Sequence, residues 1–290
     1  PAVVAERAEE GLVDRAAQGG AVLLDVIANE KHKVRRLIVA SSMSIYGEGQ
    51  YRCPTHGVVY PKLRPLKQLQ ERDWEMHCPH CGALASPEPT SEEKPLYPTS
   101  IYAITKRDHE EMFLSVGRAY NIPTVALRYF NVYGTRQALS NPYTGVAAIF
   151  SGRLLNGNAP LIYEDGLQAR DFTHVSDIVQ ANILALENEA ANYEVFNVGT
   201  GRALPIAGVA AALTKHLGLN IEPQIVGKFR EGDIRHCYAD ISKARNLLGY
   251  APTMQFEDGI AVLVDWVRRQ QAVDRVDSAA QELERRGLAR

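Results

Sequence analysis

Residues 36–47, Arg-Leu-Ile-Val-Ala-Ser-Ser-Met-Ser-Ile-Tyr-Gly, decide how this chain is read. The apolar run 36–40 is short, with basic residues before it and small hydroxyl residues after it, which predicts a buried strand. A strand that opens into Ser41-Ser42-Met43-Ser44 suits the carboxyl edge of a parallel sheet, where open α/β folds bind their ligands. Upstream, residues 1–35 predict helix, with apolar positions 22, 23, 24, 26 and 27 forming one buried face. Downstream, Pro98-Thr-Ser100 predicts the entry to a helix over 101–120, and Pro123–Phe130 predicts the next strand, ending in Asn131-Val-Tyr-Gly134. Helix alternating with short β-rich runs predicts an α/β fold with a doubly wound parallel sheet. Beyond it, helices are predicted over 146–155, 174–187, 205–217, 241–248 and 257–271, and strands at 160–163 and 194–198. The end, 272–290, predicts a charged amphipathic helix or a frayed tail.

Composition narrows the class of protein. At 290 residues, with 46% hydrophobic and 23% charged side chains, the chain suits one large α/β domain or two joined smaller ones. No apolar run reaches the roughly 20 residues of a membrane helix, so no membrane partner is expected. A net charge of -2 gives no ground for a nucleic-acid partner. Charges spread through residues 1–20 do not make a secretory signal, and four cysteines do not make a disulfide framework. Both point to the cytoplasm.

The stretch 48–95 breaks the pattern. It is polar and proline-rich, holds three of the four cysteines and has no sustained period, which predicts an insertion with its own small fold. Cys53-Pro-Thr-His56 and Cys78-Pro-His-Cys81-Gly82 form two paired knuckles, a spacing that lets sulfur and imidazole converge tetrahedrally on one ion. Cys53, His56, Cys78 and Cys81 are therefore candidate ligands of a structural zinc in a zinc-ribbon-like insertion, with His77 and His80 as rivals. A redox Cys-x-x-Cys or plain free thiols are the alternatives.

Tyr102 and Lys106 lie four apart on a predicted helix and share a face. An ammonium beside a phenol favours the phenolate over its ordinary pKa of about 10, which makes a general base usable near neutral pH. Alone, that spacing is common on solvated helices. Here it follows a strand ending in Ser41-Ser42 and precedes Arg128-Tyr-Phe-Asn-Val-Tyr-Gly134, Arg170-Asp-Phe-Thr-His-Val-Ser-Asp177, Phe196-Asn-Val-Gly-Thr-Gly201 and Arg230-Glu-Gly-Asp233 … Tyr238-Ala-Asp-Ile-Ser-Lys243.

With those motifs in that order, the chain resembles the extended short-chain dehydrogenase/reductases, in their nucleotide-sugar epimerase and dehydratase branch, over about 21–47 and 96–271. The resemblance implies a Rossmann-like dinucleotide-binding domain (1–47 with 96–140), a smaller substrate domain (141–271) and a homodimer. It implies NAD as cofactor and a nucleotide-sugar substrate. Tyr102 would be the base, Lys106 would hold the nicotinamide ribose, and Ser42 would assist, with Ser41 and Tyr129 beside the cofactor. Asn131 would contact the sugar diphosphate, Arg170 and Arg230 would clamp the pyrophosphate, and Asp233 would meet the nucleotide ribose. The dimer would form through the outward face of the Tyr–Lys helix, with Met112, Phe113 and Val116.

Residues 43 and 44 choose among the family's reactions. Dehydratases carry Asp-Glu there and decarboxylases carry Glu at the second position, whereas Met43 and Ser44 supply neither acid nor base. Epimerisation at C4 through a keto-sugar needs no further group. One family feature is absent from the sequence: no Gly-x-x-Gly-x-x-Gly follows a first strand. The resemblance begins near the family's fourth helix, so the first strands are expected to be missing, from truncation or from divergence to an inactive nucleotide-sugar-binding protein.

Overall fold

The computed structural model of the protein describes residues 10–140, 145–287 and 289. Helix α1 (Glu10–Asn29) leads to β1 (Leu37–Ser42). The 48–95 stretch then supplies β2 (Gln50–Cys53), β3 (Gly57–Val59), the short α2 (Leu66–Gln70) and β4 (Ser86–Glu88). Next come α3 (Ile101–Ala119), β5 (Thr124–Tyr129), β6 (Asn131–Tyr133) and α4 (Val146–Leu155). Strands β7 (Leu161–Ile162), β8 (Ala169–Arg170) and β9 (Phe172–His174) precede α5 (Val175–Glu187) and β10 (Val195–Val198). The rest is β11 (Leu204–Pro205), α6 (Ile206–Leu217), β12 (Gln224–Ile225), β13 (His236–Cys237), α7 (Ser242–Leu248), α8 (Phe256–Val267) and α9 (Val276–Arg285).

The fold is α/β and Rossmann-like. Its sheet runs β1-β5-β10, all parallel, with Leu37 opposite Thr124 and Val195 opposite Ala126. Central β5 is buried along nearly its whole length, as expected of a strand covered on both faces. Val125 and Leu127 point to one side, where Ile178 and Ala181 of α5 and Ala244 and Leu248 of α7 cover them. Ala126 points to the other, under Leu24 and Ile27 of α1 and Phe113 and Leu114 of α3. Period-2 alternation in the strand is thus answered by helices on both faces.

That packing corrects one expectation. Phe113 is buried in this chain's own core and so turns inward, whereas Met112 and Val116 pack against that core while staying half-buried. The helix turns its 103, 110, 113, 114 and 117 stripe inward because β5 crosses there at close range. A Cβ on Gly117 would stand 2.1 Å from Thr124 Oγ1.

A second core lies beyond β5, where α4, α6 and α8 pack around Tyr133, Phe172 and Phe256. Strands β6 and β9 pair in parallel beneath it. Several boundaries shrink: the strand expected over 160–163 is Leu161–Ile162, and the helix expected over 257–271 ends at Val267. In the 272–290 tail, α9 buries Leu283, and Arg153 pairs with Asp277 at 2.7 Å. The expected helix over residues 1–9 falls outside the described residues, as do residues 141–144 of the expected substrate domain and 288 and 290 of the tail.

The 48–95 stretch has a core of its own, made of Tyr51, Cys53, Val59, Met76, Cys78 and Ala85. Its sheet is antiparallel in the order β3-β2-β4. Among the described residues, no helix is long and apolar enough to cross a membrane.

Candidate active site

Ser100 starts the catalytic candidate. Its side chain accepts from Ala103 N–H at 3.0 Å, capping α3 and setting Tyr102 and Lys106 on the first two turns. Lys106 Nζ donates to the Ala40 carbonyl at 2.9 Å and lies 5.9 Å from the Tyr102 ring centre. Burial lowers the pKa of this ammonium. Tyr102 itself is 44% exposed. The pair therefore sits over the carboxyl end of β1, where Ser42 ends the strand opposite Tyr129.

Ser42 Oγ accepts from Ser44 N–H at 3.2 Å and pairs with Ser44 Oγ at 2.9 Å, capping the tight turn Met43–Tyr46. Met43 is buried. Neither position brings a carboxylate to the site. Ser41 Oγ is buried and bonds nothing among the described residues. Ser42 and Lys106 thus bring a hydroxyl and an ammonium group to one strand end, with the Ser41 hydroxyl buried beside them. Tyr129, expected beside the cofactor, has its hydroxyl paired with the Asn182 side chain at 2.8–3.0 Å.

Beneath the site, distant motif residues meet. Arg128 pairs with buried Glu110 at 2.5 Å and donates to Tyr46 Oη at 2.8 Å, while Tyr46 donates to Asn197 at 2.7 Å. Burial raises the Tyr46 pKa despite Arg128, so this tyrosine is a fixed neutral donor. The end of the 48–95 stretch closes the layer, with Lys94 Nζ donating to the Tyr46 carbonyl at 2.9 Å and Asn197 donating to the Thr90 carbonyl at 2.8 Å. Asp171, fully buried, accepts from Thr200, Gly201 and Ala239. These charges hold the strand ends in place.

On the substrate side, Asn131 Oδ1 is buried with no partner among the described residues. Arg230 lies over the Tyr163 ring at 4.0 Å, with its Nε also buried and unmatched. Asp233 follows one turn on, its N–H donating to the Arg230 carbonyl at 3.2 Å. Arg170, expected as a pyrophosphate clamp, also makes contacts within the chain. Its guanidinium donates to the carbonyls of Ala169, Arg235 and Ile234 at 2.7–2.9 Å, so it braces the 234–235 backbone.

Cys53, His56, Cys78 and Cys81 converge, with their ligand atoms all within 4.8 Å of one another. Cys53 Sγ lies 3.7 Å from Cys81 Sγ, and His56 Nδ1 lies 3.6 Å from both Cys53 and Cys78. The sulfurs are too far apart for a disulfide at about 2.05 Å. They match the edges of a tetrahedron around zinc, about 3.8 Å for S–S and about 3.6 Å for S–N, from bonds of about 2.3 and 2.0 Å. Burial pushes the Cys53 thiol up, but hydrogen bonds from His56 and Thr55 outweigh it and bring it to about 6. Of the rivals, His77 is committed to Asp73 and the Gly82 carbonyl, and His80 rests against the His56 ring.

The sequence reading missed a group of charges where this stretch meets the segment 230–237: Glu48, Arg64, Glu75, Glu164 and Arg235. No local signal marks them, because a charge buried by a distant partner looks like a surface charge in sequence.

Similarity to known proteins fits this geometry. Residues 80–199 match the model of the NAD dependent epimerase/dehydratase family. The chain is 34% identical over 248 residues to a dTDP-L-rhamnose 4-epimerase of Burkholderia thailandensis, covering 86% of this chain and 67% of that one. It is 36% identical over 180 residues to a putative UDP-glucose 4-epimerase of Methanocaldococcus jannaschii, 62% of this chain and 57% of that one. Among solved structures, UDP-glucose 4-epimerase of Thermotoga maritima with UDP-glucose superposes with a TM-score of 0.70 at 29% identity, over 92% of this chain and 74% of that one. UDP-glucuronic acid 4-epimerase of Bacillus cereus, in complex with UDP-glucuronic acid and NAD, gives 0.68 at 26% identity, over 89% and 68%. The chain belongs to the NAD dependent epimerase/dehydratase family. These relatives and structural neighbours are nucleotide-sugar 4-epimerases, the Methanocaldococcus protein a putative one.

Proposed function

We propose that the protein catalyses NAD-dependent 4-epimerisation of a nucleotide-activated sugar through a 4-keto intermediate. The observation that carries this reading is the placement of Tyr102 and Lys106 over the Ser42 end of β1, with no carboxylate at positions 43 and 44. NAD, when bound, supplies a reversible acceptor for the hydride of the sugar's C4. Tyr102 Oη takes the proton of the 4-hydroxyl, and Ser42 Oγ hydrogen-bonds the same oxygen. Lys106 keeps the phenol ready to lose its proton and holds the nicotinamide ribose, with Ser41 and Tyr129 nearby. After the keto-sugar turns its other face, Tyr102 returns the proton. No acid or base at C5 or C6 is required, which separates this chemistry from dehydration.

Asn131, Arg170, Arg230 and Asp233 are read as the substrate contacts, with Arg170 also bracing the segment that bears the last two. The runs Ser41–Gly47 and Cys78–Ala85 are most like those of dTDP-L-rhamnose 4-epimerase, with UDP-hexose and UDP-uronate 4-epimerases close behind. The dinucleotide-binding domain is assigned to 1–47 with 96–140 and the substrate domain to 141–271. Cys53, His56, Cys78 and Cys81 are assigned to a structural zinc, whose closed four-ligand shell leaves no position for substrate. Four unpaired thiols suit a reducing compartment such as the cytoplasm. A homodimer is the expected assembly, and sedimentation velocity tests it.

The test is product analysis with dTDP-L-rhamnose, UDP-glucose and UDP-glucuronate in the presence of NAD. Conversion of one to its C4 epimer supports the reading. Calorimetric binding of the nucleotide without binding of NAD would favour an inactive nucleotide-sugar-binding protein instead. Metal analysis is expected to find one zinc per chain, absent in Cys78→Ser.

A further inference from the structure

The seam between the 48–95 stretch and the segment 230–237 holds charges that the reaction does not use. Arg235 is fully buried, and its guanidinium reaches Glu75 at 2.5 Å, Asp165 at 2.7 Å and Glu164 at 3.1 Å. Arg64, also buried, forms a two-pronged pair with Glu164 at 2.7 and 2.9 Å. One of its N–H groups also donates to the Asp233 carbonyl at 3.1 Å. Glu48 accepts from the backbone N–H groups of Arg235 and His236 at 2.7 and 2.8 Å.

Buried ion pairs add little net stability, because desolvation offsets their attraction. Their leverage is on register: shifting either surface would leave a charge unmatched in a dry seam. What they hold in register is the backbone that carries Arg230 and Asp233. From the opposite side Arg170 grips the carbonyls of Ile234 and Arg235. The segment is thus clamped between Arg170 and the 48–95 stretch, with Arg64 touching Asp233 directly.

We propose that Arg64 and Glu75 are positioning residues for the nucleotide diphosphate of the substrate, setting Arg230 and Asp233 from within the Cys/His stretch. This rests on the nucleotide-sugar reading above. Glu75 stands three residues before Cys78 and also faces His236 at 3.1 Å, so the cysteine cluster and the nucleotide side share one short connection. The 48–95 stretch then belongs to the binding machinery.

The experiment is calorimetric titration of the full chain with UDP and with dTDP, for wild type, Arg64→Gln and Glu75→Gln. Expected are affinities weaker by about tenfold and about threefold respectively, which correspond to about 1.4 and 0.7 kcal/mol. With saturating sugar nucleotide, kcat is expected to change less than about twofold in both, so the effect falls on KM. Arg64→Lys, which restores one donor toward Asp233, is expected to recover part of the affinity. Unchanged affinity in both Gln variants, or a loss of kcat at constant KM, overturns the inference while leaving the epimerase reading intact. A wild type that binds neither nucleotide overturns both. Should Arg64→Gln fail to fold, the half-exposed Glu75 provides the milder variant, and its affinity alone decides.

Discussion

The corner that holds Tyr102 and Lys106 and the seam that holds Arg64 and Arg235 use similar polar groups to opposite ends. At the corner, the phenol is half-exposed and the ammonium beside it donates to a backbone carbonyl. At the seam, guanidinium meets carboxylate at 3.1 Å or less, with Arg64, Glu164 and Arg235 out of water. Proton transfer needs a group whose charge can change without breaking other bonds. Register needs groups whose charge cannot change without leaving a neighbour unmatched. Exposure and partner number separate the two uses more sharply than residue type does.

The sharpest way to break this comparison is Tyr102→Phe. Turnover is expected to fall about 10³-fold, within the range for loss of a general base. The melting midpoint should stay close to wild type, because the lost hydroxyl lies on a half-exposed side chain. Product assays run beside thermal melts check this, and a variant that keeps its rate removes Tyr102 from the chemistry.

Arg235→Met should show the reverse signature. Leaving Glu75 and Asp165 without their arginine, and Glu164 with Arg64 alone, is expected to cost about 3 kcal/mol. Urea unfolding measures it, and a cost near zero would mean that the seam relaxes into water.

The seam should also feel acid before the corner does. The His236 contact and Arg235 hold the Glu75 carboxyl at about 2, below its ordinary value of about 4.3. A folded-state pKa held down contributes stability present above about 4.3 and lost as pH falls toward about 2. Because this carboxylate is partly exposed, the effect is discounted to about 1 kcal/mol. Unfolding measured across that window should show the loss in wild type and lack it in Glu75→Gln.

Smallest of all is Arg202→Ala. Its pair with Glu257, at 2.7 Å, stands largely in solvent on both sides. Removing it should change stability by less than about 0.5 kcal/mol. An effect above about 1 kcal/mol would show that exposure is a poor guide to what a charge does in this protein.

Much of the fold was legible because its signals are local. The strand over 36–40 with hydroxyl residues after it, the Ser100 cap and the 146–155 helix each follow from a few consecutive residues. The same holds for Tyr102 with Lys106 and for the two cysteine knuckles, whose geometry depends on spacings of three or four. The helix over 101–120 was legible as a helix, but which of its faces turns inward was not. Phe113 reads as outward until β5 and α1 are laid against it. Likewise the carbonyls of 234 and 235 that Arg170 meets could not be read from its neighbours in sequence.

By itself, the sequence determined the order of the longer helices and core strands, the family and the set of groups able to move a proton or grip a metal. All of these rest on covalent spacing, which survives unfolding. Only the tertiary structure decided which charges are committed. Arg64 and Glu164 lie 100 residues apart, and Arg235 lies 71 beyond Glu164, yet all three share one buried seam. Whether a charged side chain is solvated or paired depends on surfaces that the chain brings together only when folded, so no reading of neighbours along the sequence could assign it.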